Sequence, residues 1–160
     1  MNDRILTATA ARSLRDQLDA AGKKLVFTNG SFDILHRGHV TYLEFARAQG
    51  DALLIGLNSD ASVRRYKGPT RPVNSEEDRT YVLAALRAVD GVVVFDEDEP
   101  RDLIGKILPH VLVKGRDWAH YVSGRDVVEA HGGQVVLADM VEGRSTTNVI
   151  DRILKTGASS

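Results

Sequence analysis

Short apolar runs alternate along the chain with stretches in which apolar residues recur every three or four positions. Thr9 to Ala21 carries Ala10, Leu14 and Leu18 at four-residue spacing and ends at Gly22, which predicts a helix. Arg12, Arg15, Asp16 and Asp19 give it a solvated polar face. Lys24 to Thr28 predicts a first buried strand, broken at Asn29-Gly30, a pair that tolerates the positive φ of a tight turn. Val40, Leu43 and Ala46 mark a helix that ends near Gln49-Gly50. Ala52 to Leu57 is nearly all apolar, as in a strand covered on both faces of a parallel sheet. Two such strands joined by a helix of this length make a right-handed βαβ unit.

The alternation continues. Asn58-Ser59-Asp60 either caps a helix starting at Ala61 or borders a ligand crevice at the ends of the first two strands. Arg64 to Arg71 holds four cations and a Gly-Pro pair, and reads as a cationic loop. Ser75 and Asp78 stand at capping-box spacing before a helix whose apolar face is Tyr81, Val82, Ala85 and Leu86. It leads into a strand that reaches Phe95. The acidic run Asp96 to Glu99 before Pro100 suits a helix N-terminus, and Leu103, Ile104, Ile107 and Leu108 are that helix's buried face. Val111 to Val113 is a fourth strand, Val122 to His131 a helix, and Gln134 to Ala138 a fifth strand. Val149, Ile150, Ile153 and Leu154 predict the inward face of a last helix, with residues 157–160 as a flexible tail. Five buried runs separated by helices predict an α/β protein, a three-layer α/β/α sandwich around a five-stranded parallel sheet. It forms one domain over residues 1–156.

Composition narrows the function classes. With 160 residues there is room for one ordinary core, and a formal net charge of −1 gives no reason to expect nucleic acid or an anionic membrane as partner. The absence of cysteine rules out a disulfide framework and fits a reducing cytoplasm. The polar opening Met-Asn-Asp-Arg does not read as a signal peptide, and no run approaches the roughly 18 apolar residues of a membrane span.

The chemistry concentrates where the first strand meets the second helix. A strand, a glycine turn and a helix N-terminus together leave backbone N–H groups pointing outward, which favours an anion. His36 and His39, three apart around Gly38, are placed to donate hydrogen bonds to a phosphate there. A lone His-x-x-His is otherwise an ordinary surface or core pair, and a zinc site lacks both cysteine and a third ligand at useful spacing. No metal-ligand set is therefore assigned to the protein. Cations from Arg64 to Arg71 suit the neutralisation of a polyphosphate. Arg79 is either structural or a contact for an acceptor phosphate. Near the C-terminus, N-capping accounts for one hydroxyl of Ser145-Thr146-Thr147, but not for three hydroxyls beside Arg144.

Asn29-Gly30-Ser31-Phe32-Asp33 followed by His36-Arg37-Gly38-His39 resembles the HxGH signature of the nucleotidylyltransferase superfamily, in its cytidylyltransferase-like branch. Longer strings extend the likeness: Thr-Asn-Gly-Ser-Phe-Asp-Ile-Leu-His from Thr28, Lys-Gly-Pro-Thr-Arg-Pro-Val-Asn from Lys67, Leu-Pro-His-Val-Leu-Val-Lys-Gly from Leu108 and Ser-Thr-Thr-Asn from Ser145. These are similar to the adenylyltransferases of bacterial ADP-heptose synthesis. Two positions depart: Ser31 stands where cysteine is usual, and Arg116 where glycine is usual.

The resemblance implies strand order 3-2-1-4-5 and transfer of AMP from ATP to D-glycero-β-D-manno-heptose 1-phosphate, with release of pyrophosphate. It implies His36, His39 and Lys67 as catalytic residues. Thr28, Asn29, Gly30, Ser31, Phe32, Asp33, Gly38, Lys114, Gly115, Asp117, Arg144, Ser145, Thr146 and Thr147 would bind the nucleotide. Asp33 would orient either a histidine or a metal-bound water. Mg²⁺ is expected, held mainly through the triphosphate, and so is a homodimer. A cytidylyltransferase acting on glycerol 3-phosphate shares the site and differs in base and acceptor. A non-catalytic nucleotide-binding module would use the same pocket. A dinucleotide-binding dehydrogenase is set aside because its Gly-x-Gly-x-x-Gly loop is missing.

Overall fold

A computed structural model describes residues 2–139 and 145–158 of the chain. Five parallel strands form one sheet in the order β3-β2-β1-β4-β5: β1 Leu25–Gly30, β2 Ala52–Asn58, β3 Gly91–Phe95, β4 Val111–Gly115 and β5 Gln134–Ala138. The order reverses between β1 and β4, and such a switch point opens a crevice at the carboxyl ends of the strands. β1 pairs with β2 from Leu25↔Ala52 to Gly30↔Leu57, and with β4 only at Val26↔Val111 and Phe27↔Leu112. Beyond that short pairing the two central strands are free to part.

Helices cover both faces, which is why the strands read as continuous apolar runs. On one face, Leu43 and Ala46 of α2 (Arg37–Arg47) and Leu83 and Ala84 of α4 (Glu76–Ala84) pack with Val26, Leu53, Ile55 and Val113. On the other, Ala11 of α1 (Ala8–Ala20), Leu103, Ile104 and Ile107 of α5 (Arg101–Ile107) and Val128 of α6 (Arg125–Ala130) pack with Phe27, Leu54 and Leu112. Ser59 caps the short α3 (Asp60–Lys67), and Ser75 caps α4 as its spacing predicts.

Several local expectations are corrected. Asn29 and Gly30 belong to the strand; the chain turns at Phe32, whose φ is +44°. Gly30 is required for space, since a Cβ there would stand 2.9 Å from the Phe32 ring. Arg64, Arg65 and Lys67 form the last turn of α3 and are not loop residues. Tyr81 and Val82 are exposed, and α4 meets the sheet through Thr80, Leu83 and Ala84. The cause is Arg79, whose side chain is driven into the sheet end and sets the rotation of the helix. The predicted helix from Val122 shortens to α6. The last helix, α7 (Thr146–Ala158), runs through Gly157; its Val149 and Ile150 are half-buried, while Ile153 and Leu154 are exposed.

Candidate active site

A cavity of about 580 Å³ opens at the carboxyl edge of the sheet, over the switch point. β1 delivers Asn29 and Gly30 to its wall, the following turn delivers Ser31 and Phe32, and the start of α2 delivers His36, Gly38 and His39. His36 is the N-cap of α2, and its Nδ1 accepts from the Gly38 N–H at 3.0 Å. His39 returns the arrangement, with its Nδ1 accepting from the His36 N–H at 3.3 Å. Imidazoles thus replace the hydroxyl and carboxylate of an ordinary capping box. A neutral imidazole whose Nδ1 accepts carries its proton on Nε2. Both rings therefore hold donor hydrogens on the side away from the helix they cap.

Lys67, the last residue of α3, reaches this end of the cavity and donates to the Ser31 hydroxyl at 3.1 Å. Burial, and then the Arg71 charge, lower the Lys67 pKa, while Asp33 opposes the shift. Burial, then His36 and Lys67, push His39 down to about 4, so its ring is neutral at physiological pH. Lys114, at the end of β4, has its Nζ 3.4 Å from Asn29 Oδ1 and 5.5 Å from the centre of the Trp118 ring. Burial lowers its pKa too. Two desolvated ammonium groups and the two imidazoles line one cavity; an incoming polyanion would meet strong fields in a site of low dielectric.

The cytidylyltransferase-like family model matches residues 27–152, most of the chain and all of this cavity's described wall. The chain belongs to the cytidylyltransferase-like family. That places it among the nucleotidyltransferases. It is 58% identical over 146 residues to the bifunctional protein HldE of Syntrophotalea carbinolica, covering 89% of this chain and 30% of that protein. Against the bifunctional protein HldE of Mesorhizobium japonicum it is 54% identical over 159 residues, covering 99% and 32%. The chain thus spans about a third of the length of these relatives. Among solved structures, a lipopolysaccharide core biosynthesis protein from Thermoplasma volcanium superposes with a TM-score of 0.63 at 23% identity, covering 77% of this chain and all of that one. Pantothenate synthetase from Thermus thermophilus superposes at 0.57 with 16% identity, covering 86% of this chain and 62% of that one. These two likenesses concern the fold.

Of the residues singled out from the sequence, this cavity's wall brings together Asn29, Gly30, Ser31, Phe32, His36, Gly38, His39, Lys67, Lys114, Gly115, Asp117, Ser145, Thr146 and Thr147. Two expected residues lie behind the wall. The Thr28 hydroxyl is 2.7 Å from the Tyr42 hydroxyl, which also donates to the Val113 carbonyl and so ties β1 to β4. Burial pushes the Tyr42 phenol up to about 12, which keeps it protonated and donating. Asp33 spends its carboxylate on the Val73 and Asn74 N–H groups at 2.7 and 2.8 Å. It therefore anchors the segment before α4; neither a histidine nor a cavity-facing water is oriented by these bonds. Arg144 lies outside the described residues.

Other wall residues escaped the sequence reading: Tyr42, Tyr66, Tyr121, Ser123, Asp98, Glu99 and Asp139. Tyr121 bonds Glu99, which raises its phenol pKa. Arg116, the unusual residue, pairs at 2.7 Å with Asp139 just past β5. The residue types alone carry no signal for these positions; only the strand order places their helices and loops together. Ser145 caps α7 through the Asn148 N–H at 3.0 Å, and Thr146 donates to the Ile34 carbonyl at 3.4 Å, which docks that helix against the loop before α2. Among the described residues, no three His, Asp or Glu side chains are grouped to hold a metal ion.

Proposed function

We propose that the chain is a single adenylyltransferase domain, over residues 1–156, that transfers AMP from ATP to D-glycero-β-D-manno-heptose 1-phosphate. The observation that carries the reading is the reciprocal pair His36–His39, which builds the start of α2 on the same cavity wall as Lys67. The heptose acceptor and ATP as donor rest on the motif resemblance to the adenylyltransferases of ADP-heptose synthesis, beside identity of 54–58% to bifunctional HldE proteins.

An oxygen of the sugar phosphate attacks the α-phosphorus of ATP, forming the new P–O bond as the bond to the β-phosphate oxygen breaks. The electron pair of that bond leaves on pyrophosphate. The acceptor is already anionic near neutral pH, so the step needs placement and charge stabilisation more than a base. His36 and His39 donate through Nε2 to the α-phosphate and to the leaving oxygen, and Lys67 neutralises charge as it spreads. Ser145, Thr146, Thr147 and Arg144 hold the β- and γ-phosphates at the head of α7. Asn29, Gly30, Ser31, Phe32, Gly38, Lys114, Gly115 and Asp117 enclose the nucleotide. Mg²⁺, held mainly through the triphosphate, would supply charge neutralisation there.

The domain works as a homodimer in the cytoplasm on small molecules, without nucleic acid. None of the described helices is long and apolar enough to cross a membrane.

The test is pyrophosphate release with Mg²⁺ across ATP, CTP, GTP and UTP against heptose 1-phosphate, glycerol 3-phosphate and other sugar phosphates. A dominant ATP–heptose 1-phosphate signal is expected. A CTP–glycerol phosphate signal would keep the chemistry and replace the substrates; triphosphate binding with no release anywhere would leave a non-catalytic module.

A further inference from the structure

Arg79 carries a fully buried guanidinium, yet it does not line the cavity. Its donors reach four groups on three separate pieces of chain, at Ser31, at Asn58 and Asp60, and at Asn74. Nη1 donates to the Ser31 carbonyl at 2.8 Å and to the Asn58 carbonyl at 2.9 Å. Nε donates to the Asn74 carbonyl at 3.0 Å, and Nη2 meets Asp60 Oδ1 at 2.8 Å. A buried ion pair is a poor source of net stability, and apolar side chains of similar volume often serve as well. A planar fork of fixed donors does supply geometry.

The partners are those that set the phosphate end of the cavity. The Ser31 carbonyl belongs to the peptide leading into Phe32, an aromatic residue at φ +44°, a conformation that persists only where its surroundings hold it. The same Ser31 accepts Lys67 Nζ on its hydroxyl. Asp60 opens α3 and Lys67 closes it, so a shift at Asp60 is carried along a lever of roughly 10 Å to the ammonium group. Asn74 closes the network by donating its side-chain N–H to the Asp33 carbonyl at 3.0 Å, one residue beyond Phe32.

We propose that Arg79 is a positioning residue for phosphoryl chemistry: by holding the Ser31 carbonyl and the Asp60 carboxylate in one fork, it sets Lys67 in register with the His36–His39 pair. The inference rests on the proposed function only in taking Lys67 and the histidines to act on a triphosphate. It assigns Arg79 no contact with substrate.

The test is a double-mutant cycle. Arg79→Lys and Asp60→Asn are each combined with Lys67→Ala. Steady-state kcat and KM are measured, together with calorimetric affinity for whichever of ATP, CTP, GTP and UTP binds best, with no acceptor present. Arg79→Lys is expected to lower kcat about 30-fold and triphosphate affinity about fivefold when Lys67 is present, and each by less than about twofold when it is not. Asp60→Asn, which leaves the buried cation in place, is expected to lower kcat about fivefold with the same dependence on Lys67. Equal losses in both backgrounds overturn the proposal, as does wild-type kcat and affinity in Arg79→Lys protein. If Arg79→Lys does not fold, the Asp60→Asn cycle decides. If the wild type turns over no acceptor, the substrate reading fails, while the affinity cycle still decides the role of Arg79.

Discussion

The imidazoles of His36 and His39 stack with centroids 3.9 Å apart and planes 28° from parallel, each surrendering Nδ1 to a backbone N–H of the turn they build. One pair of rings thus caps α2 and lines the cavity wall. Placement of the rings and formation of the helix start are the same event, so neither ring can drift without unmaking the cap. Phe32 meets His39 edge-on, with centroids 5.5 Å apart, and braces the pair from the strand side.

His36→Ala and His39→Ala should each lower turnover by about a hundredfold or more, the scale seen when a preorganised donor is removed. Triphosphate affinity should change only a few-fold, because Lys67, Lys114 and the head of α7 remain. Each variant should also lose about 1 kcal/mol of stability with its cap. Rapid-quench product formation and calorimetric ATP binding separate the two effects. Near-normal turnover in both variants would sink the assigned mechanism.

The depressed pKa of His39, about 4 against 6.5 unperturbed, makes a prediction for stability. Between these values the unfolded chain binds a proton that the folded chain excludes, so stability rises with pH across that window. The contribution is complete above pH 6.5 and is lost as pH falls towards 4, on the order of 1–3 kcal/mol. Denaturation at several pH values should show this slope in the wild type and a shallower one in His39→Gln. Nitrogen NMR should find the His39 ring neutral and protonated on Nε2 at pH 6; a titration near 6.5 would refute the burial argument. Bound triphosphate, an anion, should move the midpoint upward.

Gly30→Ala tests how tightly the turn is packed. A Cβ at this position would lie 2.9 Å from the Phe32 ring, which is buried and set against His39. The ring must move, and such overpacking typically costs about 1–3 kcal/mol. The expected result is a lower melting temperature together with a fall in kcat, since the displaced ring no longer braces His39. Unchanged kcat with lowered stability would confine Gly30 to folding.

Much of this was legible before the structure. Ala52 to Leu57 and Val111 to Val113 read as buried parallel strands because both faces of the sheet are covered, and the sheet order follows the family resemblance. His36, His39 and Ser145 were visible because each sits at a helix start, where sequence spacing and chemistry coincide. What failed did so for tertiary reasons. Asn29-Gly30 has turn propensity, but β2 offers a hydrogen-bonding partner as far as Leu57, and pairing overrides it. Tyr81 and Val82 have the right spacing for a buried face, but the buried Arg79 rotates α4 by its own four bonds. Asp33 stands within the signature string, yet its carboxylate faces the segment before α4, which only the fold brings near. Tyr121, Glu99 and Asp139 join the wall from loops distant in sequence, and no local pattern announces them.

Ser145→Ala separates capping from binding at the head of α7. The hydroxyl already accepts the Asn148 N–H at 3.0 Å, so its loss frees one backbone donor and should loosen the first turn by about 1 kcal/mol. That turn carries Thr146 and Thr147 to the cavity wall and is tied to the loop before α2 by Thr146. A frayed turn presents its N–H groups less often to the β- and γ-phosphates, so ATP affinity should fall about five- to tenfold, in line with a loss of that size. Because the ordering is undone before the chemical step, kcat at saturating ATP should change little. Ser145→Asp restores a cap but adds negative charge, so helicity should recover while ATP affinity falls further. Affinity unchanged in Ser145→Ala, with a measurable loss of helix stability, would leave Ser145 as a cap and remove it from the nucleotide site.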